Sequence, residues 1–89
     1  MSSSQIQIGT QTITPTVKDL GDKYYIEFNA TITSYLGNQV NQTITVKLLC
    51  DKYKMVLTSP MQPPQQVQKT VQECVDEFAE SHKNIYTFA

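Results

Sequence analysis

The chain has 89 residues, seven of them lysine and none arginine, against eight acidic residues and a formal net charge of −1. At this length a chain makes one small domain that buries roughly 60% of its unfolded surface, and a near-neutral balance without the guanidinium fork excludes duplex nucleic acid as the main partner. No apolar run approaches the roughly 18 to 20 residues of a membrane-spanning helix, so helical membrane insertion is excluded too.

Met1 to Gln5 carries neither the basic nor the apolar region of a secretory signal. A cytoplasmic protein is therefore expected, in the host cytoplasm if the chain is viral, with residues 1–4 as a disordered tail. Gln5 to Ile13 reads as a first strand whose apolar phase changes from Ile6 and Ile8 to Ile13. A bulge at Gly9 explains that change most simply. Pro15 ends or edges this strand, and Lys18 to Lys23 is a polar turn.

From Tyr24 onward Tyr24, Ile26, Phe28, Ala30 and Ile32 alternate with Glu27, Asn29, Thr31 and Thr33, the pattern of a half-buried strand. Val40, Ile44, Val46, Leu48 and Cys50 repeat it against Asn41, Thr43, Thr45 and Lys47. The turn between them can be tested by parity, because a one-residue slip moves every side chain to the other face. A three-residue loop, Leu36-Gly37-Asn38 with Asn38 left-handed, pairs Ala30 with Ile44, Phe28 with Val46 and Ile26 with Leu48. The same test accepts a two-residue turn at Asp51-Lys52, which leads into a fourth strand over Tyr53 to Thr58.

Pro60, Pro63 and Pro64 mark a connector over residues 59–63, and a helix is predicted to start near Pro64. Val67, Val71, Cys74, Val75, Phe78, Ala79 and His82 then share one arc of roughly 120 to 140°. Asn84 stops the helix, and Ile85 to Phe88 forms a short final strand or an apolar tail. The expected fold is α+β: a single domain over residues 1–89, with an antiparallel β-meander of about four strands and one long C-terminal helix on one face. Its core should contain Ile26, Phe28, Ile44, Val46, Leu48, Val71, Val75 and Phe78.

Cys50 and Cys74 both point into this expected core. Two buried thiols acting as small apolar fillers are the favoured reading in a reducing compartment, with a disulfide joining helix to sheet as the alternative. Two cysteines and one histidine without close ligand pairs do not make a metal site. His82 lies at the helix C-terminus, where the dipole favours it, and lacks a nucleophile and an orienting partner. No phosphate loop, dinucleotide fingerprint or nucleophile elbow is present, so neither an enzyme nor a cofactor is expected.

Glu73, Asp76, Glu77 and Glu80 share the helix face opposite the core and repel one another, with Lys69 and Lys83 offsetting only part. This face is one candidate partner surface. Thr31, Thr33, Thr43 and Thr45, flanked by Tyr25, Tyr35 and Leu49, form the other, an interface on the open sheet face. Asn29-Ala-Thr31 and Asn41-Gln-Thr43 match the glycosylation pattern, which without a signal segment is read as coincidence. Lys47, Lys52 and Lys54 lie near Tyr53, and with Tyr25 and Tyr35 they make an arrangement suited to stacking single-stranded nucleic acid. A β-meander followed by one helix also resembles, in layout alone, small single-strand-binding repeats such as the PUR and whirly modules.

The function expected is a small non-enzymatic protein-binding module, an inhibitor or accessory protein of viral or phage type, working as a homodimer. The alternative is a sheet domain that binds single-stranded nucleic acid.

Overall fold

The two longest strands carry the fold. In the computed structural model, which describes residues 5–89, β4 (Lys23–Tyr35) and β5 (Asn38–Asp51) form an antiparallel ribbon with Tyr24, Ile26, Phe28, Ala30 and Ile32 buried along one face. The tail predicted over residues 1–4 lies outside the described residues. Ala30 pairs with Ile44, Phe28 with Val46 and Ile26 with Leu48, the register that parity demands. The turn is not the expected three-residue loop. Tyr35 faces Asn38, and Leu36 and Gly37 both take positive φ, 51° and 81°, the pattern of a two-residue type I′ turn. The odd residue is absorbed by a register shift: Ile32 faces Gln42 but Ser34 faces Gln39, so Val40 and Asn41 bulge opposite Thr33. Leu36 tolerates its left-handed backbone because its N–H donates to the Ile85 carbonyl at 2.8 Å.

The inner edge of β4 is covered in two pieces. β3 (Thr16–Asp19) pairs with its first half and β8 (Tyr86–Phe88) with its last. Between them the Gln11 carboxamide acts as a missing strand, accepting from Thr31 N–H at 2.8 Å and donating to the Thr31 carbonyl at 2.8 Å. Gln11 can reach because residues 5–13 are not one bulged strand. Gly9, at φ 60°, reverses the chain between β1 (Ile6–Ile8) and β2 (Gln11–Ile13), and Ile6 faces Ile13 across a tight hairpin. Its phase change is thus a reversal of direction. The polar turn expected over Lys18 to Lys23 shrinks likewise: Lys18 and Asp19 belong to β3, and only Leu20 to Asp22 turn, with Gly21 at φ 96°.

The expected fourth strand does not pair with β5. β6 (Tyr53–Val56) pairs instead with β7 (Gln65–Gln68), so the prolines join two strands of a ribbon where a helix start was expected. Lys52 explains the choice. Its N–H donates to the Asp22 carbonyl at 3.0 Å and its carbonyl accepts from Lys69 N–H at 2.7 Å. The N–H and C=O of one extended residue leave on the same side, so β4 and β7 follow one another along one edge of a nearly continuous β5–β6 run. Gln68 Nε2, donating to Tyr24 Oη at 2.7 Å, closes that junction.

The helix begins at Val71, and α1 (Val71–Ser81) has 11 residues. Thr70 and Glu73 form a capping box, in which Thr70 Oγ1 accepts from Glu73 N–H at 3.1 Å and Glu73 Oε1 from Thr70 N–H at 3.2 Å. With strands over 56% of the described residues, the fold there is mostly β, built of three antiparallel sheets and one short helix, rather than an α+β meander under a long helix. α1 and the β1–β2 hairpin share the covering layer. Ile6 and Ile8 are buried with Ile26, Phe28, Val46 and Val75, while Ile44, Leu48, Val71 and Phe78 pack half-buried against that cluster. Cys50 and Cys74 are joined as a disulfide, Cα atoms 6.0 Å apart, where the sequence favoured free thiols. The bond fastens the capped end of α1 to the far end of β5.

Candidate functional site

The acidic helix face is not a stripe of unpartnered charge. Glu73 pairs with Lys54 of β6, Glu77 with Lys69 at 2.9 Å and Glu80 with Lys83 at 2.8 Å, while Asp76 accepts from Gln72 Nε2 at 2.8 Å. Glu73 also stands in the first helical turn, where the dipole favours negative charge. Lys54, with further help from the Thr70 cap, holds its carboxyl below the usual carboxylate range.

The open sheet face collects Tyr25, Thr31, Thr33, Thr43 and Thr45 but not Tyr35. Asn29 faces Thr45 and Thr31 faces Thr43 across the β4–β5 ladder, with Thr45 Oγ1 donating to Asn29 Oδ1 at 2.7 Å. Beyond the bulge Tyr35 pairs with Tyr86 and joins an aromatic row on the helix side. Its ring lies 5.6 Å from Tyr86, which lies 6.2 Å from His82, itself stacked on Phe78 at 4.3 Å. His82 Nδ1 is 2.9 Å from the Phe78 carbonyl oxygen, a helix-end hydrogen bond within this aromatic packing. Tyr53 is on the β6–β7 ribbon, Tyr25 on the open face of the β4–β5 sheet and Tyr35 in the aromatic row. Of the three lysines expected to line a strand of nucleic acid, Lys52 pairs with Asp19 at 2.5 Å and Lys54 with Glu73, which leaves Lys47 facing Glu27 across the ladder.

What sequence reasoning missed is the outer edge of β5. Among the described residues β5 pairs with β4 alone and β6 with β7 alone, both on the inner side, so the run from Asn38 to Val56 presents unpaired backbone groups outward. No proline interrupts it, and Lys47 is the sole charge between Asn38 and Cys50. Leu49, Tyr53 and Met55 stand at odd positions along it, 59%, 42% and 63% exposed, with Asp51 between the first two and Leu57, 77% exposed, just beyond its end. Beside the edge, between β5 and α1, a hollow of about 420 Å³ is lined by Leu48, Cys50, Cys74, Phe78 and His82 among others. Long flat edges are ordinarily blunted by proline, charge or covering elements.

A second hollow, of about 620 Å³, lies between Ile6, Tyr24, Lys69 and the start of α1. Its Lys69 is already paired with Glu77. Among the described residues no three His, Cys, Asp or Glu side chains are close enough to hold a metal ion, and no helix is long and apolar enough to cross a membrane. No protein family model matches the chain, and no curated protein or solved structure matches it either.

Proposed function

We propose that this protein is a non-enzymatic module that binds another protein by strand addition along the outer edge of β5, in an inhibitory or accessory role. The observation that carries the reading is the uncovered β5–β6 edge with its exposed Leu49, Tyr53 and Met55. Strand addition draws affinity from main-chain hydrogen bonds and specificity from alternate side chains. Here the alternate side chains on one side set the apolar Leu49, Tyr53 and Met55 beside the charges of Lys47 and Asp51, and on the other they overlook the hollow beside Phe78. The Cys50–Cys74 bond supports a working location in an oxidising compartment.

Amide hydrogen exchange resolved by residue tests the proposal. On complex formation the outward N–H groups of residues 43–51 should gain protection, while those bonded to β4 keep the protection they have. Protection confined to α1, with the outward amides of β5 unchanged, would overturn it. Salt-sensitive binding of oligonucleotides with quenching of tyrosine fluorescence would replace it with the single-strand reading.

A further inference from the structure

The side chains along the β5 edge are complementary to themselves. On the open face Asp51 lies opposite Lys23, whose Nζ is 2.5 Å from Asp51 Oδ1; Leu49 lies opposite Tyr25, and Lys47 opposite Glu27. Beyond Tyr25 stands Lys18 of β3, its Nζ 5.9 Å from the tyrosine ring centre. Three rows therefore reach the edge, ending in an acid, a leucine and a base at positions 51, 49 and 47.

An antiparallel two-fold pairing must place some residue of β5 on itself, and the choice fixes what meets across the seam. Centring on Lys47 sets two ammonium groups against each other. Centring on Val46 sets Leu49 against Thr43, and centring on Leu48 sets Leu49 against Lys47. Centring on Leu49 brings Leu49 onto Leu49 and Lys47 onto Asp51 twice. The rows then run Lys23, Asp51, the partner's Lys47, the partner's Glu27, alternating in sign throughout. Between the two such rows lies an apolar one, Tyr25, Leu49, the partner's Leu49, the partner's Tyr25. Opposite charges and apolar pairs directly across a ladder stabilise it, and like charges oppose it. On the other face the same register sets the partner's Leu48 against Cys50, at the mouth of the hollow beside Phe78.

We propose that the occupant of this edge is a second copy of the chain, paired antiparallel through β5 about a two-fold axis at Leu49, so that the two sheets join into one. This rests on the strand-addition reading and names its partner. The charge pattern selects the register. It also explains why Leu49, in mid-strand on a polar face, is a leucine.

Sedimentation of the full-length protein, with charge exchange at the two positions, tests it. Wild type is expected to dimerise reversibly at micromolar concentration. Lys47→Asp and Asp51→Lys should each weaken association about tenfold or more, because two attractive cross-strand pairs become repulsive. Mixed in equal amounts, the two variants should form a heterodimer, since every Asp then meets a Lys across the seam, and the double variant should associate more tightly than either single one because its seam pairs are again opposite in sign. Unchanged circular dichroism of each variant confirms that folding is kept. Wild type that stays monomeric overturns the second copy as occupant; strand addition then still stands if another protein protects the outward amides of β5. A dimer indifferent to both substitutions overturns the register. A dimer whose β5 edge amides remain unprotected overturns both.

Discussion

Leu36 holds a backbone that its residue type does not favour, Gln11 holds the backbone of another residue, and each gives a sharp test. Leu36 occupies the first central position of a type I′ turn at φ 51°, where asparagine or glycine is ordinary. A left-handed non-glycine backbone costs about 1 to 2 kcal/mol, and the Leu36 side chain is largely exposed. Leu36→Asn keeps the N–H that donates to Ile85 and removes the strain. It should stabilise the fold by about 1 kcal/mol, raising the melting temperature by roughly 4 to 8 °C. Gln11 is the converse. Its carboxamide bonds both backbone groups of Thr31 in the gap between β3 and β8; the Thr31 carbonyl also accepts from Ala89 N–H at 3.0 Å, so Gln11→Ala leaves the Thr31 N–H unpaired. A loss of about 1 to 3 kcal/mol is expected in urea unfolding, and Gln11→Asn, one methylene shorter, should not restore it. Neither role was legible in the sequence. Gln11 has no local partner, and parity at Leu36 counts residues without saying whether a turn or a bulge holds the odd one.

At the scale of elements, the disulfide and the core set most of the stability. Cys50 and Cys74 close a loop with a sequence separation of 24 between β5 and α1. Reduction, or Cys50→Ala with Cys74→Ala, should cost about 3 kcal/mol and lower the melting temperature accordingly. Phe28 is buried where β4 meets the covering layer, so Phe28→Ala should cost about 3 to 5 kcal/mol, read by denaturant unfolding. The β4–β5 alternation was legible because its period is local: Tyr24 to Ile32 and Ile44 to Cys50 each declare a face within a few residues. The partner of Tyr53 to Val56 was not, since the parity test at Asp51-Lys52 asks whether a hairpin is allowed and is silent on a competing strand such as Gln65–Gln68. The helix start did carry a local signal. Thr70-Val71-Gln72-Glu73 is a capping box, which outranks the prolines at 63 and 64 as a start marker. A free edge has no signal of its own, because it is defined by the strand that fails to pair.

For the molecule as a whole, the β6–β7 ribbon decides the shape. The principal extents are 49 × 33 × 19 Å and the radius of gyration is 15.2 Å, whereas a compact chain of this length would have about 12 Å. Few apolar contacts hold the ribbon, and ion pairs to neighbouring elements do much of the holding. Lys52 at its base bonds Asp19 of β3, Lys54 bonds Glu73 of α1, and Lys23 bonds Asp51 just before it. Hydrogen bonding to these lysines lowers the pKa of Asp19, Asp51 and Glu73, and the same bonds raise those of Lys23 and Lys52. A lowered carboxyl pKa contributes stability that is present above the unfolded value and lost as pH falls through the folded one. A raised ammonium pKa contributes stability that is complete below its unfolded value and lost as pH rises through the folded one. The melting temperature should therefore hold between about pH 5 and 9 and decline on the acid side below the ordinary carboxylate range of about 4. All three pairs are partly exposed, so added salt should shrink the effect. Glu73→Gln separates the ion pair from the cap, because glutamine at that position still closes the capping box. The variant should retain the helix at neutral pH, show a shallower acid decline, and in scattering at pH 7 expand toward the acid-state dimensions of the parent as the ribbon swings free. An acid decline of unchanged steepness in Glu73→Gln would mean that the Lys54–Glu73 pair does not hold the ribbon, which then rests on the bonds of Lys52 to Asp22 and Asp19.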